Sequence, residues 1–310
     1  MKLSIVTTLY LSYPHLREFY TRITRAAERI TSDYEIILVN DGSPDNSLDL
    51  AVTLHENDPH VKLIDLSRNF GHHKAIMTGL AHAGGERVFL IDCDLEEDPA
   101  LLVDFNAAFE SGDADVVYGI QGSRKGGLFE RASGRLFYLL FNLLSGHGIP
   151  NDIAVVRLMS RRYVTNLVTH RESELLIAGL WQITGFKQVP FTVQKGSNSG
   201  STYDLPRKLA MLVRGITSFS NKPLIYISYL GVAMLALSSL YIIYRVTVRL
   251  FLGQPPEGYT SLIVSVWFVG GLIIFSLGII AIYLSVVFIE TKNRPYTIIR
   301  HIYGGSDEER

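Results

Sequence analysis

Cysteine is almost missing from this chain, and no glycine-rich nucleotide signature is present. Cys93 stands alone among 310 residues, so no intrachain disulfide can form, which fits a domain working in a reducing compartment. No Gly-x-Gly-x-x-Gly follows the first apolar run and no Gly-x4-Gly-Lys-Ser/Thr occurs anywhere, which excludes the dinucleotide fingerprint and the P-loop. A charge excess is also lacking: 29 Lys and Arg balance 30 Asp and Glu, a net charge of -1, so no basic field argues for nucleic acid. The opening residues, MKLSIVTTLYLSY, have no basic region leading into a long apolar run, so a cleaved leader is not expected. Internal repeats and low-complexity tracts are absent as well.

The most informative absence is local. Asp, Glu, Lys and Arg are missing from Pro223 to Tyr244 and again from Tyr259 to Ile289. About 20 helical residues cross a hydrocarbon core about 30 Å thick, so both stretches are long enough to span a bilayer. Lys222 and the upstream Arg207, Lys208 and Arg214 precede the first stretch, and Lys292, Arg294 and Arg300 follow the second. Positive charge marks the cytoplasmic side, so the catalytic part and both termini are expected there. Arg245 and Arg249 in the connection oppose this count unless they snorkel to headgroups; Pro255, Pro256 and Gly258 suit a turn between antiparallel helices. The expected division is a catalytic domain at 1–205, a juxtamembrane amphipathic helix at 206–222 and a two-span anchor with a short cytoplasmic tail at 223–310. Residues 128–144 suit either an interfacial helix or core packing.

The first 120 residues alternate short apolar runs with amphipathic stretches. Strands are expected at 3–8, 35–40, 61–66, 87–92 and 115–120, with helices at 14–30, from near Asn46, at about 72–83 and after Pro99. This predicts an α/β domain built on a mostly parallel, doubly wound sheet, whose ligands bind at the carboxyl ends of the strands. Polar residues collect at those ends: Asp41, Arg68 and Asn69, then Asp92 and Asp94.

Asp92-Cys93-Asp94 sits where an apolar strand stops. Two carboxylates two residues apart can share one ligand if the chain turns there, and such a pair suits Mg²⁺ or Mn²⁺ bridging to a diphosphate. Arg68, His72, His73 and Lys74 near a helix start suit diphosphate binding. Zinc is disfavoured, because adjacent histidines do not share a helix face and no cysteine lies nearby. The Gly/Ser-rich loop 195–208, with Lys195 at its start and Arg207 and Lys208 at its end, suits closing over a diphosphate or gripping a lipid phosphate.

VNDGSPDNS (39–47), LSRNFGHHKAIMTGL (66–80), IDCDLEEDP (91–99), RLM (157–159), GITSFSNKPL (215–224) and TKNRP (291–295) together resemble glycosyltransferase family 2, in its polyisoprenyl-phosphate glycosyltransferase branch. The resemblance implies a GT-A fold and inverting transfer from a nucleotide-diphosphate sugar to a polyisoprenyl (undecaprenyl) phosphate at the cytoplasmic membrane. It implies that Asp92 and Asp94 form the metal-binding Asp-x-Asp. Donor contacts are implied at Thr8, Tyr10, Asp41 (to the nucleoside), Ser43, Arg68, Asn69, His72, Lys74, Cys93 and Lys195, and acceptor-phosphate contacts at Ser201, Tyr203, Arg207 and Lys208. The chain departs from the family's pattern in several places. Tyr10-Leu11-Ser12 replaces a Tyr-Asn-Glu-like stretch, and Ala281-Ile282-Tyr283-Leu284 a Gly-Glu-Tyr-Leu-like one. Lys195 stands where arginine is usual, giving a point charge rather than a fork. Val155 stands where an aspartate is frequent two residues before Arg157, leaving Asp152, Glu172 and Glu174 as candidates for a base. A phosphate nucleophile is already ionised near neutral pH and tolerates that loss. The alternative, a saccharide or lipid-linked oligosaccharide acceptor, would need a base such as Glu172 or Glu174, and a non-catalytic membrane scaffold or translocation partner is the reading from another class. A two-span anchor is compatible with a homo-oligomer.

Overall fold

The computed structural model describes residues 1–121, 153–172, 177–193, 221–252 and 258–304. The stretches 128–144 and 206–220, and Asp152, Glu174, Lys195, Ser201, Tyr203, Arg207 and Lys208, lie outside the described residues.

The chain forms two compact units. The first carries β1 (Leu3–Leu9), α1 (Tyr13–Glu28), β2 (Tyr34–Asn40), α2 (Ser47–Asn57), β3 (Val61–Leu66), α3 (His72–His82), β4 (Arg87–Leu90), α4 (Leu101–Ser111) and β5 (Val116–Gln121). It continues with β6 (Ile153–Ser160), α5 (Arg161–Leu167), α6 (Ile177–Ile183) and β7 (Gln188–Val193). The second unit carries α7 (Lys222–Leu252) and α8 (Tyr259–Thr291), after which β8 (Ile299–Tyr303) belongs again to the first.

Eight strands form one sheet in the order β7-β5-β6-β4-β1-β2-β3-β8. β1 and β2 are buried at every position, as strands covered on both faces must be. On one face Leu3, Ile5 and Leu9 meet Leu16, Phe19 and Ile23 of α1, while Phe89 meets Phe105 of α4 edge to face at 5.8 Å. On the other face α3 lies so close that a Cβ on Gly79 would stand 2.5 Å from Val6 Cγ1. That glycine is what lets α3 approach the sheet.

The mostly parallel expectation holds: β1 to β5 and β7 run in one direction, and β6 and β8 run against them. β6 runs antiparallel between β4 and β5, pairing Leu90 with Arg157 and Tyr118 with Arg157. The sheet is therefore mixed, with the β3-β2-β1-β4-β6-β5-β7 order of a GT-A domain. Assigning 223–310 to an anchor and tail is corrected. β8 pairs antiparallel with β3, matching Ile64 to Ile302 and covering an edge that would otherwise present unpaired backbone groups.

In the second unit, Lys222–Tyr241 and Ser265–Thr291 are long and apolar enough to cross a membrane, and neither stretch is buried. Leu230, Trp267 and Ile274 are among the large side chains left exposed, which in water would be a costly surface.

Candidate active site

Strand order reverses between β1 and β4, so a crevice opens beyond their carboxyl ends, where open α/β sheets bind ligands. Four loops line it, following β1, β2, β3 and β4.

The loop after β4 delivers the carboxylates. Ile91 N–H still donates to Val6 O at 3.2 Å, and the strand then ends. Cys93 drops into the α1/α4 core at 2 % exposure, while Leu95 adopts φ +60° and turns the chain. Asp92 and Asp94 consequently flank a buried residue at the edge, with Asp94 exposed and accepting from Glu96 N–H at 3.0 Å. Burial and the two neighbouring carboxylates push the Cys93 thiol pKa up, and its side chain packs in the core.

The loop after β3 is held from below. Asp41, 2 % exposed, accepts from Phe70 N–H at 2.7 Å and Gly71 N–H at 3.1 Å. Burial raises the Asp41 pKa, and those two N–H groups partly offset it. Its carboxylate therefore organises the loop that carries Arg68 and Asn69. Gly42 has φ +58°, and a Cβ there would meet Arg68 C and Asn69 N at 2.5 Å, so the two loops touch through backbone. Arg68 folds back on its own loop, donating to Asn69 O at 2.8 Å and lying 4.1 Å over the Phe70 ring.

The loop after β1 is latched in turn. Leu11 adopts φ +56° and donates its N–H to Ser43 Oγ at 2.8 Å, while Tyr13 N–H donates to Asp45 Oδ2 at 3.0 Å. Ser43 is thereby committed to the loop, and Tyr10 is left with 49 % of its surface exposed at the crevice.

His72 opens α3 and joins two strand ends. Its Nδ1 lies 3.0 Å from Thr8 Oγ1 and its Nε2 3.4 Å from Asp92 Oδ1. Thr8, Tyr10, Asp41, Arg68, Asn69, His72, Asp92 and Asp94 therefore stand at one edge of the sheet. Lys74 lies in the first turn of α3, and Glu172 lies half-buried in the α5–α6 connection.

The two carboxylates are hard oxygen donors and fit Mg²⁺ or Mn²⁺. Among the described residues no third His, Cys, Asp or Glu completes a cation cage. That composition suits a cation held by one or two carboxylates and a substrate diphosphate.

Sequence reasoning quoted Arg157 only within a motif and did not foresee its surroundings. It is 1 % exposed, and its Nε and Nη2 donate to Val155 O at 3.1 Å and Ala154 O at 3.2 Å. The Trp181 ring lies against its guanidinium. Burial lowers its pKa to about 9, which leaves it cationic near neutral pH. Trp181 was not foreseen at all, because nothing local marks a tryptophan on a short helix.

The model for glycosyl transferase family 2 matches residues 4–168. A Mycobacterium tuberculosis protein grouped with the glycosyltransferases is 54 % identical over 98 % of this chain and 89 % of its own length. A Bacillus subtilis protein named glycosyltransferase YkcC is 34 % identical over 97 % of this chain and 94 % of its own. The prophage-derived bactoprenol glucosyl transferase of Shigella flexneri is 32 % identical over 99 % of this chain and 100 % of its own. With that match across its sheet and crevice, the chain belongs to glycosyl transferase family 2 and is a glycosyltransferase.

Proposed function

We propose that this enzyme transfers a sugar, with inversion, from a nucleotide-diphosphate sugar to a polyisoprenyl phosphate at the cytoplasmic face of the membrane, for cell-envelope or O-antigen glycosylation. The observation that carries this reading is the pairing of Asp92 and Asp94 at the β1/β4 crevice in a chain that also carries two exposed apolar helices. Likeness to the Shigella bactoprenol glucosyl transferase along the full chain supports the lipid acceptor.

The chemistry suits the residues present. A phosphate oxygen of the acceptor attacks the anomeric carbon, the bond from that carbon to the donor diphosphate breaks, and nucleoside diphosphate leaves with the electron pair. The nucleophile is already ionised, so no proton has to be removed and Val155 is tolerated. Asp92 and Asp94 would hold the cation, with His72 steadying Asp92. When bound, Mg²⁺ or Mn²⁺ supplies positive charge against the departing diphosphate. The remaining work is orientation, carried by loops latched through Asp41, Ser43 and Asp45.

The connectivity supports a two-pass anchor. The chain leaves the first unit after β7 and re-enters it as β8, so both ends of the helical segment join one sheet. An even number of crossings satisfies this, and the flanking Lys and Arg favour the cytoplasm for that side.

The test is to incubate membranes containing the protein with labelled nucleotide sugars and undecaprenyl phosphate, with and without Mn²⁺. A cation-dependent, solvent-extractable glycolipid is expected, and Asp94→Ala should abolish it. No lipid product from any donor would overturn the reading, as would a saccharide product formed without the lipid.

A further inference from the structure

We propose that Arg157 and the indole N–H of Trp181 form a buried anion subsite that receives a phosphate group of a substrate. This rests on the reading of the crevice as a site for phosphate-bearing substrates.

The register fixes where the guanidinium lies. Paired residues share a sheet face, and Arg157 pairs with Leu90. Phe89, Ile91, Val156 and Leu158 enter the α1/α4 core, so Leu90 and Arg157 take the opposite face. Asp92 follows two residues after Leu90, and β6 runs antiparallel to β4. Arg157 reaches back along its own strand to the carbonyls of Val155 and Ala154, which carries the guanidinium toward the edge where Asp92 stands. Val155 at that level is only half-buried.

Among the described residues the positive charge meets no counter-charge: the guanidinium meets two carbonyls and an indole ring and no carboxylate. The groups that act on it electrostatically are the neutral phenols Tyr118 and Tyr163. A buried cation without a counter-charge is unfavourable. Beside it the Trp181 Nε1–H is buried and has no acceptor. Nε and one Nη2 hydrogen go to those carbonyls, and the Nη1 hydrogens, the second Nη2 hydrogen and the indole N–H are donors that phosphate oxygens accept. Val155 occupies a nearby backbone position from which a carboxylate would neutralise Arg157 internally, so the charge stays available to a ligand.

Val155→Asp tests this without removing a buried group. If the introduced carboxylate pairs with Arg157, it competes with substrate phosphate, and the KM for one phosphate substrate should rise about tenfold or more with no loss of thermal stability. A rise for the nucleotide sugar assigns the subsite to the donor diphosphate; a rise for undecaprenyl phosphate assigns it to the acceptor. Trp181→Phe keeps an aromatic ring and deletes the N–H, and should raise the same KM about threefold. Unchanged KM values for both substrates in Val155→Asp would overturn the proposal and leave Arg157 a structural anchor. If the wild type glycosylates no polyisoprenyl phosphate, the functional reading fails on its own, and thermal protection by inorganic pyrophosphate decides the subsite. Protection in the wild type that Val155→Asp loses sustains it; equal protection, or none in either, refutes it.

Discussion

His72 Nε2 lies 3.4 Å from Asp92 Oδ1, and the same ring reaches Thr8 Oγ1 through Nδ1 at 3.0 Å. One side chain at the start of α3 thus ties the carboxyl ends of β1 and β4 across the crevice. A partner that orients a metal-ligating carboxylate contributes to affinity for the ion without touching it. His72→Ala is therefore expected to raise the half-saturating Mn²⁺ concentration about 10- to 100-fold at fixed donor concentration. An unchanged Mn²⁺ titration would show that Asp92 needs no such support.

Gly42 is the second point where backbone geometry controls the donor edge. Its φ of +58° and the 2.5 Å approach to Arg68 and Asn69 leave no room for a Cβ. Gly42→Ala costs about 1–2 kcal/mol from the left-handed backbone alone and pushes the Arg68–Asn69 loop outward. The KM for the nucleotide sugar should rise about tenfold with the acceptor KM unchanged, as steady-state kinetics would show.

The segment after α8 is built into the sheet rather than trailing from it. Arg300 Nη1 lies 3.2 Å from Asp65 Oδ2, its Nη2 donates to Ser67 O at 2.7 Å, and Thr297 Oγ1 lies 2.8 Å from Thr78 Oγ1. Asp65 is 2 % exposed, and among the described residues its side chain keeps only the bond from Asn40 Nδ2 if the arginine is lost. Arg300→Ala should destabilise the first unit by about 1 kcal/mol, a modest figure because Arg300 itself is more than half exposed. Truncation after Pro295 removes β8, bares the β3 edge and should cost more, with aggregation on purification. Thermal unfolding in detergent measures both.

Asp115 gives stability an acid limb. Arg162 donates to both its oxygens, Nη2 at 2.9 Å and Nε closer still, and Ser160 Oγ donates at 3.0 Å. The Arg162 bond holds its carboxyl below the ordinary value of 3.8. A carboxylate with a depressed folded pKa stabilises fully above its unfolded pKa and loses that contribution as pH falls through the folded one. Asp115→Asn should therefore be less stable than the wild type at pH 7. The difference should shrink below about pH 4 and vanish at lower pH. Unfolding midpoints across that range decide it.

Much of the molecule follows from local pattern. The runs around Ile5, Ile37, Ile64 and Phe89 announce the four parallel strands because each is buried on both faces. The carboxylates of Asp92 and Asp94 are legible because they follow such a run, and the two long apolar stretches because no charge interrupts 223–244 or 259–289. These features depend on residues close in sequence. The tertiary structure alone decided the rest. β6 inverts beside β4, and β8 joins β3 although Asp65 and Arg300 stand 235 residues apart. Asp41 reaches across to accept from the Phe70 and Gly71 amides, and Cys93 turns into the core. Val155 could be noted in the sequence, but its meaning required the fold. Only the pairing of β6 with β4 sets Arg157 beside Leu90, two residues before Asp92. Strand pairing between distant segments is settled by which edges and faces remain to be covered once the local elements exist, and no short window of sequence contains that information.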